Sequence, residues 1–134
     1  MPWLGVASDA NGERGVILNM SSILGVDVDR RHFATVAYAA SKGAIIAMSR
    51  SMAASYAPDG IRVNVVAPGL VRTPMSARAC EDPAVLEYMQ VRQPLLRDVI
   101  PVADVAATCV YLLTDASRAM TGQVIRVDAG WSVA

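Results

Sequence analysis

Tyr38 and Lys42 stand four residues apart, a spacing that on a helix puts both side chains on one face about a turn from each other. A phenol with an ordinary pKa near ~10 is a poor acid–base group at neutral pH, and a neighbouring ammonium lowers that value by favouring the ionised form. A hydroxyl such as that of Ser22, brought alongside, would hold a carbonyl oxygen while the phenol donates a proton to it. Together these are half of a carbonyl reduction. The other half is a hydride, which no side chain supplies, so this reading implies a nicotinamide cofactor. Ser21 is the alternative to Ser22. Taken alone, the pair reads first as an amphipathic helix face, a half-buried tyrosine beside a snorkelling lysine; its chemistry depends on what surrounds it.

The elements that must position these groups follow from hydrophobic pattern and breakers. Residues 15–20, GVILNM, form a nearly continuous apolar run after the loop-like stretch 9–14, and read as a strand buried on both faces. Small and apolar residues dominate 35–57, with no proline until Pro58 and then Asp59-Gly60 as a stop, which predicts a long helix. A second strand over 61–67 is broken at once by Pro68-Gly69. Asp82-Pro83 opens a short, peripheral helix to about Val91, and Pro101 begins another whose apolar residues recur at helical spacing as far as Leu113. A third strand over 123–128 ends in Ala129-Gly130. Strands alternating with helices imply an α/β fold with a parallel sheet and right-handed crossovers. A doubly wound dinucleotide-binding sheet has about six strands, and three are legible, so roughly half a domain is expected. Ligands bind beyond the carboxyl ends of such strands, which is where Ser21-Ser22, Pro68-Gly69 and Asp128 fall.

Four segments, in order, resemble the second half of a short-chain dehydrogenase/reductase. They are Asn19-Met-Ser-Ser-Ile-Leu-Gly25, Tyr38-Ala-Ala-Ser-Lys42-Gly-Ala44, the stretch from Arg62 to Met75 containing Ala67-Pro-Gly-Leu-Val-Arg-Thr73, and Thr121-Gly-Gln-Val-Ile-Arg-Val-Asp-Ala-Gly130. A Tyr-x-x-x-Lys alone is weak; four segments with compatible spacing are specific. The resemblance implies an oxidoreductase interconverting an alcohol and a carbonyl with NAD or NADP. It implies that Ser22 positions the substrate oxygen and that Tyr38 is the general acid or base. Lys42 would lower the tyrosine pKa and hold the nicotinamide ribose, so that Tyr38 and Lys42 both border the cofactor. The backbone from Pro68 through Gly69 to Val71 would meet the nicotinamide carboxamide, and Thr73 the pyrophosphate. Residues 1–134 are then the C-terminal portion of a Rossmann-like domain, with the N-terminal glycine-rich half absent.

The departures are equally specific. No Gly-x-Gly occurs, so the phosphate loop and the residue that sorts NAD from NADP belong to the absent part. The family's catalytic asparagine would precede Met1, and neither Asn11 nor Asn19 matches it. The Ser22 to Tyr38 gap is a few residues longer than is usual, through residues 27–32, a loop that borders the substrate pocket. His32 and the Arg30-Arg31 pair read as solvated loop residues.

Lysine plus arginine, 12, equals aspartate plus glutamate, 12, and neither sign forms a block, which argues against nucleic acid or a membrane surface as partner. The most apolar stretch, 43–57, is interrupted by Ser49-Arg50-Ser51 and reads as buried helix. Cys80 and Cys109 lack metal or disulfide spacing, residues 1–10 lack a secretory pattern, and a cytoplasmic protein is the default. The small-residue face of residues 44–57 is, in relatives, a subunit interface, which implies a homo-oligomer. Two competing readings stand beside the enzyme. One is a truncated, inactive fragment that acts at most as an association module through its sheet edge and long helix; the first strand's edge should then be unpaired and the monomer poorly soluble. The other is a sugar-nucleotide epimerase or dehydratase, disfavoured because such proteins continue well past the last strand. Steroid, sugar, acyl thioester and xenobiotic ketone all remain open as substrates.

Overall fold

The computed structural model describes residues 15–134; the loop-like run at 9–14 and the stretch considered as a leader lie outside the described residues. Three strands, β1 (Gly15–Met20), β2 (Ile61–Pro68) and β3 (Val124–Val127), form one parallel sheet in the order β1-β2-β3. The α/β class and the parallel pairing are those expected. Helix α1 (Val36–Tyr56) links β1 to β2, and a short turn of helix carrying Pro58 ends it, because proline cannot continue the hydrogen-bond ladder. Between β2 and β3 run α2 (Ala77–Cys80), α3 (Pro83–Arg92) and α4 (Val102–Leu113).

All eight residues of β2 are buried, since it alone is paired on both sides and covered on both faces. Its alternation decides what lies where. Ile61 and Val63 join Ile17 and Ala53 under α1, whereas Val66 joins Leu18, Val105 and Leu112 under α4. The helices therefore lie on opposite faces. Because both connections step across the sheet in the same direction, they cannot share a hand, and the expectation of right-handed crossovers holds for only one of the two. A third cluster, Ile23, Cys80, Val85, Met89, Val99 and Trp131, sits where the chain leaves the strands and covers the carboxyl end of the sheet. Helix α3 contributes Val85 and the fully buried Met89 to it, so this helix is not the peripheral element its short pattern suggested.

Arg62 and Asn64, on the α4 face of β2, are buried. The Arg62 guanidinium donates to the Leu112 and Thr114 carbonyls at 3.2 and 3.3 Å, and to Met120 O and Ser117 Oγ at 3.4 and 3.2 Å. It thus satisfies the carbonyls that the end of α4 leaves open and complements that end's negative dipole. Asn64 donates to Met120 O at 2.7 Å and accepts from Gln123 N at 3.1 Å, which sets the entry of β3. Among the described residues β1 is paired only with β2, and Met20 at its end is 45 % exposed. No helix of the described residues is long and apolar enough to cross a membrane.

Arg62→Met keeps most of the buried volume but strands several buried carbonyls, and should cost about 2–4 kcal/mol. The measurement is the urea midpoint of the variant against the parent; an unchanged midpoint would mean that those carbonyls find other donors.

Candidate active site

The carboxyl ends of the strands carry the residues singled out for chemistry, and close approaches at two glycines hold them there. Gly25, in the single helical turn Ile23–Gly25 after β1, faces the α1 backbone. A Cβ on Gly25 would stand 2.8 Å from Lys42 C and 2.9 Å from Gly43 N, so only glycine fits without displacement. Beside it the buried Ser21 hydroxyl donates to Lys42 O at 2.8 Å. Lys42 answers from its side chain, Nζ donating to Met20 O at 3.3 Å. The end of β1 and the second turn of α1 are thereby tied at three points.

Tyr38 lies one turn earlier on α1, with Lys42 Nζ 5.5 Å from its ring centroid. It is 38 % exposed, and its hydroxyl has no hydrogen-bond partner among the described residues. Lys42 keeps N–H donors beyond the one given to Met20. Ser22 is buried and its hydroxyl accepts from Leu24 N at 3.2 Å, capping the turn that presents Gly25. No hydrogen bond joins Ser22 to Tyr38. The structure thus brings Tyr38, Lys42 and the Met20-Ser21 backbone together and places Ser22 next to them in the chain, occupied with its own turn.

The segment after β2 is the second wall. Pro68 ends the strand opposite Val127, and Gly69 N donates to Val127 O at 3.0 Å. A Cβ on Gly69 would collide with Gln93 Oε1, because the fully buried Gln93 grips this loop. Its side chain accepts from Leu70 N at 2.7 Å and donates to Leu70 O and Asp98 O at 3.3 and 2.8 Å. Val71 bridges Ile100 in parallel register, and its own N–H has no partner among the described residues. Thr73 closes the loop in a reciprocal cap with Ser76, whose hydroxyl also donates to Val71 O.

Two acidic side chains fix the surrounding loops. Asp29 Oδ1 accepts from the N–H groups of Arg31, His32 and Phe33 at 2.8, 2.9 and 3.2 Å, and Oδ2 accepts from the Tyr88 hydroxyl at 2.6 Å. Burial alone would raise its pKa, but these hydrogen bonds, Tyr88 foremost, hold the carboxyl below its ordinary value. Burial and the facing carboxylate push the Tyr88 phenol up. Asp128, after β3, accepts from Gly130 N and Ser132 N at 3.0 Å each. Burial again acts upward, and the bonds from Ser132 and Gly130 with the charge of Arg126 outweigh it. Asp128 holds a turn in which Ala129 and Gly130 both adopt positive φ, 50° and 97°, and so brings Trp131 into the cluster above the sheet.

Gln93, Asp29 and Tyr88 were not singled out in the sequence. Only Asp29 carried a local hint, an acidic residue opening a polar turn; Tyr88 sits in α3 and Gln93 just past its end, and the helix pattern said nothing of their partners. His32 and Arg31 are not merely solvated. The His32 ring lies 4.9 Å from that of Tyr88, and the Arg31 guanidinium 5.3 Å above the same ring.

Residues 5–132 match the family model described as enoyl-(acyl carrier protein) reductase. Over 119 residues the chain is 38 % identical to galactitol 2-dehydrogenase (L-tagatose-forming) of Cereibacter sphaeroides, covering 89 % of this chain and 46 % of that protein. Among solved structures, a gluconate 5-dehydrogenase from Burkholderia cenocepacia in complex with NADP and tartrate aligns with a TM-score of 0.83 at 30 % identity, over 93 % of this chain and 47 % of that one. A 4-hydroxyisoleucine dehydrogenase complexed with NADH aligns with a TM-score of 0.82 at 29 % identity, over 90 % and 48 %. The chain spans about half the length of the relatives it matches.

Two outcomes are expected here. Gly25→Ala should destabilise the protein by about 1–3 kcal/mol, the range for overpacking against a backbone that cannot yield, read from its thermal midpoint. For Asp29 and Asp128 the folded carboxyl binds a proton less readily than the unfolded one. Their stabilisation is therefore complete above the unfolded value near ~3.9 and is lost as pH falls through the lower folded value. Asp29→Asn and Asp128→Asn should each flatten the acid limb of the stability–pH curve below about pH 4; a limb of unchanged steepness would count against both assignments.

Proposed function

This chain belongs to the short-chain dehydrogenase/reductase family, and from that membership we propose that it carries the catalytic side of an NAD(P)(H)-dependent oxidoreductase interconverting an alcohol and a carbonyl. The observation that carries the reading is the pair on α1: a Tyr38 hydroxyl with no hydrogen-bond partner among the described residues and the Lys42 ammonium beside its ring, at the carboxyl end of a parallel sheet. In this reading Tyr38 donates its proton to the carbonyl oxygen in reduction and takes one from the hydroxyl in oxidation. The positive charge of Lys42 favours the phenolate left behind. Ser22, released from its turn or sharing its hydroxyl, donates to the same substrate oxygen.

The cofactor, when bound, supplies or accepts the hydride that no side chain can. The residues present fit it. Lys42 has donors to spare for ribose hydroxyls, the Val71 N–H is an unused donor for a carboxamide oxygen, and the Gln93 grip keeps the Pro68–Gly69 backbone in place. Thr73 would face the pyrophosphate. Residues 1–134 would be the C-terminal portion of a Rossmann-like domain whose glycine-rich part belongs to residues outside this stretch, a reading supported by relatives of twice the length. A second copy would pack on the outward side of α1, where Val36 and Met48 are exposed.

The test is a titration with NADH and NADPH followed by turnover on a panel of polyols and hydroxy acids, with Tyr38→Phe as control. Tyr38→Phe should bind cofactor like the parent and lose about 10²–10⁴-fold in kcat, the usual worth of a positioned general acid or base. Cofactor binding without any Tyr38 dependence would remove the proposed chemistry, and no binding to either nucleotide would favour the association module.

A further inference from the structure

The connection from Ser22 to Tyr38 does more than fill space. Its middle is fastened to α3, and its end starts α1. Asp29 gathers three consecutive N–H groups and the Tyr88 hydroxyl, while Arg31 and His32 lie against the Tyr88 ring. Two residues before Asp29, Asp27 pairs with Arg92 of α3 at 3.2 Å, and the Arg92 guanidinium lies 5.0 Å from the centroid of the buried Trp131 ring. Phe33 packs on that same Trp131, ring centroids 5.7 Å apart. The connection therefore touches α3 and the C-terminal turn through five side chains between Asp27 and Phe33.

Its contact with α1 is looser. A groove of about 200 Å³ opens between Leu24, Asp27, Phe33, Val36 and Ala39, so packing against the helix does not locate the connection there. Nor does a cap locate the start of α1. Thr35 makes no side-chain cap, its hydroxyl donating instead to Phe33 O at 3.3 Å, and Thr35 N donates to the same carbonyl at 2.7 Å. The turn of α1 that carries Tyr38 is thus continued from Phe33, whose N–H belongs to Asp29.

We propose that Asp29 and Tyr88 are positioning residues: their hydrogen bond latches the connection to α3 and so sets where Tyr38 stands relative to Ser22 and Lys42. The proposal rests on reading Ser22 and Tyr38 as the reacting side chains, but its test needs no turnover. Lys42 is tied independently through Ser21 and Gly25, so release of the latch moves Tyr38 and leaves the second turn of α1 in place. Helix α3 then serves the site as a fixed wall.

The experiment uses the full chain labelled with ¹³C in its tyrosine rings, which gives four signals, from Tyr38, Tyr56, Tyr88 and Tyr111, assigned by single Tyr→Phe variants. Amide hydrogen exchange is followed on the same samples. In Tyr88→Phe the amides of Arg31, His32 and Phe33 should exchange about tenfold faster or more, as expected on losing a hydrogen bond to a carboxylate. The Tyr38 signal should shift while Tyr56 and Tyr111 stay in place. Asp29→Asn retains one acceptor for the three N–H groups and is the milder second variant; it should shift Tyr38 in the same direction by less. Unchanged exchange at residues 31–33 would overturn the latch. Faster exchange with a stationary Tyr38 would overturn the positioning role, and movement of all remaining tyrosines in both variants would mean that these residues serve the whole fold. Failure of the redox reading would show instead in the cofactor titration, with these signals unaffected.

Discussion

A cation buried in a sheet must find acceptors, and the C-terminal end of a helix must find donors for its last carbonyls. In this protein each requirement meets the other: Arg62, in the middle strand, is closed over by the end of α4. Because β2 is the strand paired on both sides, its side chains set the position of everything that follows. Arg62 and the adjacent Asn64 fix where α4 stops and where β3 enters the sheet. From β3 the position of Asp128 follows, and with it the turn that carries Trp131 into the cluster over the sheet's carboxyl end.

That end is organised by backbone contacts as much as by apolar packing. Gly25 rests on Lys42 and Gly69 on Gln93, each with no room for a Cβ. At Gly25 both sides are backbone, which lacks the freedom of a side chain to move aside, and at Gly69 the Gln93 amide is held by its own hydrogen bonds to Leu70 and Asp98. The contacts at Gly25 and Ser21 hold the Lys42 backbone in place beside the partly exposed Tyr38. The general acid or base proposed at Tyr38 must be reachable by substrate yet fixed to within a fraction of an ångström, and a held main chain with an exposed side chain is compatible with both demands. The family's hydride chemistry, proposed for this chain, asks for that combination.

The strongly patterned elements were legible in the sequence to within about one residue: β1, α1, β2, α4 and β3 fell where apolar runs, helical spacing and the breakers Pro58, Gly60 and Gly69 put them. The short α2 was not legible, since a single turn offers no period to read. Helix α3 was found from its Asp82-Pro83 opening, and Asp82 does cap it, but its burial was misjudged because Val85 and Met89 face a cluster built from residues far apart in the chain. The opposite hands of the two crossovers had no local signature at all. Each α/β unit taken alone favours the right-handed form, and the long excursion through α2 and α3 escapes that preference.

Tyr38, Lys42, Ser22 and the Pro68–Gly69 turn could be named from type and spacing, because helical periodicity and strand ends are local properties that the chain writes directly. The α/β class was determined in the same way, by the alternation of patterns. What only the tertiary structure decided is which distant groups complete them: Gln93 on Leu70, Arg62 on the end of α4, Asp29 on Tyr88. Each of those pairs is separated by more than twenty residues, and a hydrogen bond across such a distance depends on how the intervening helices pack, a sum over many weak contacts with no trace at either residue.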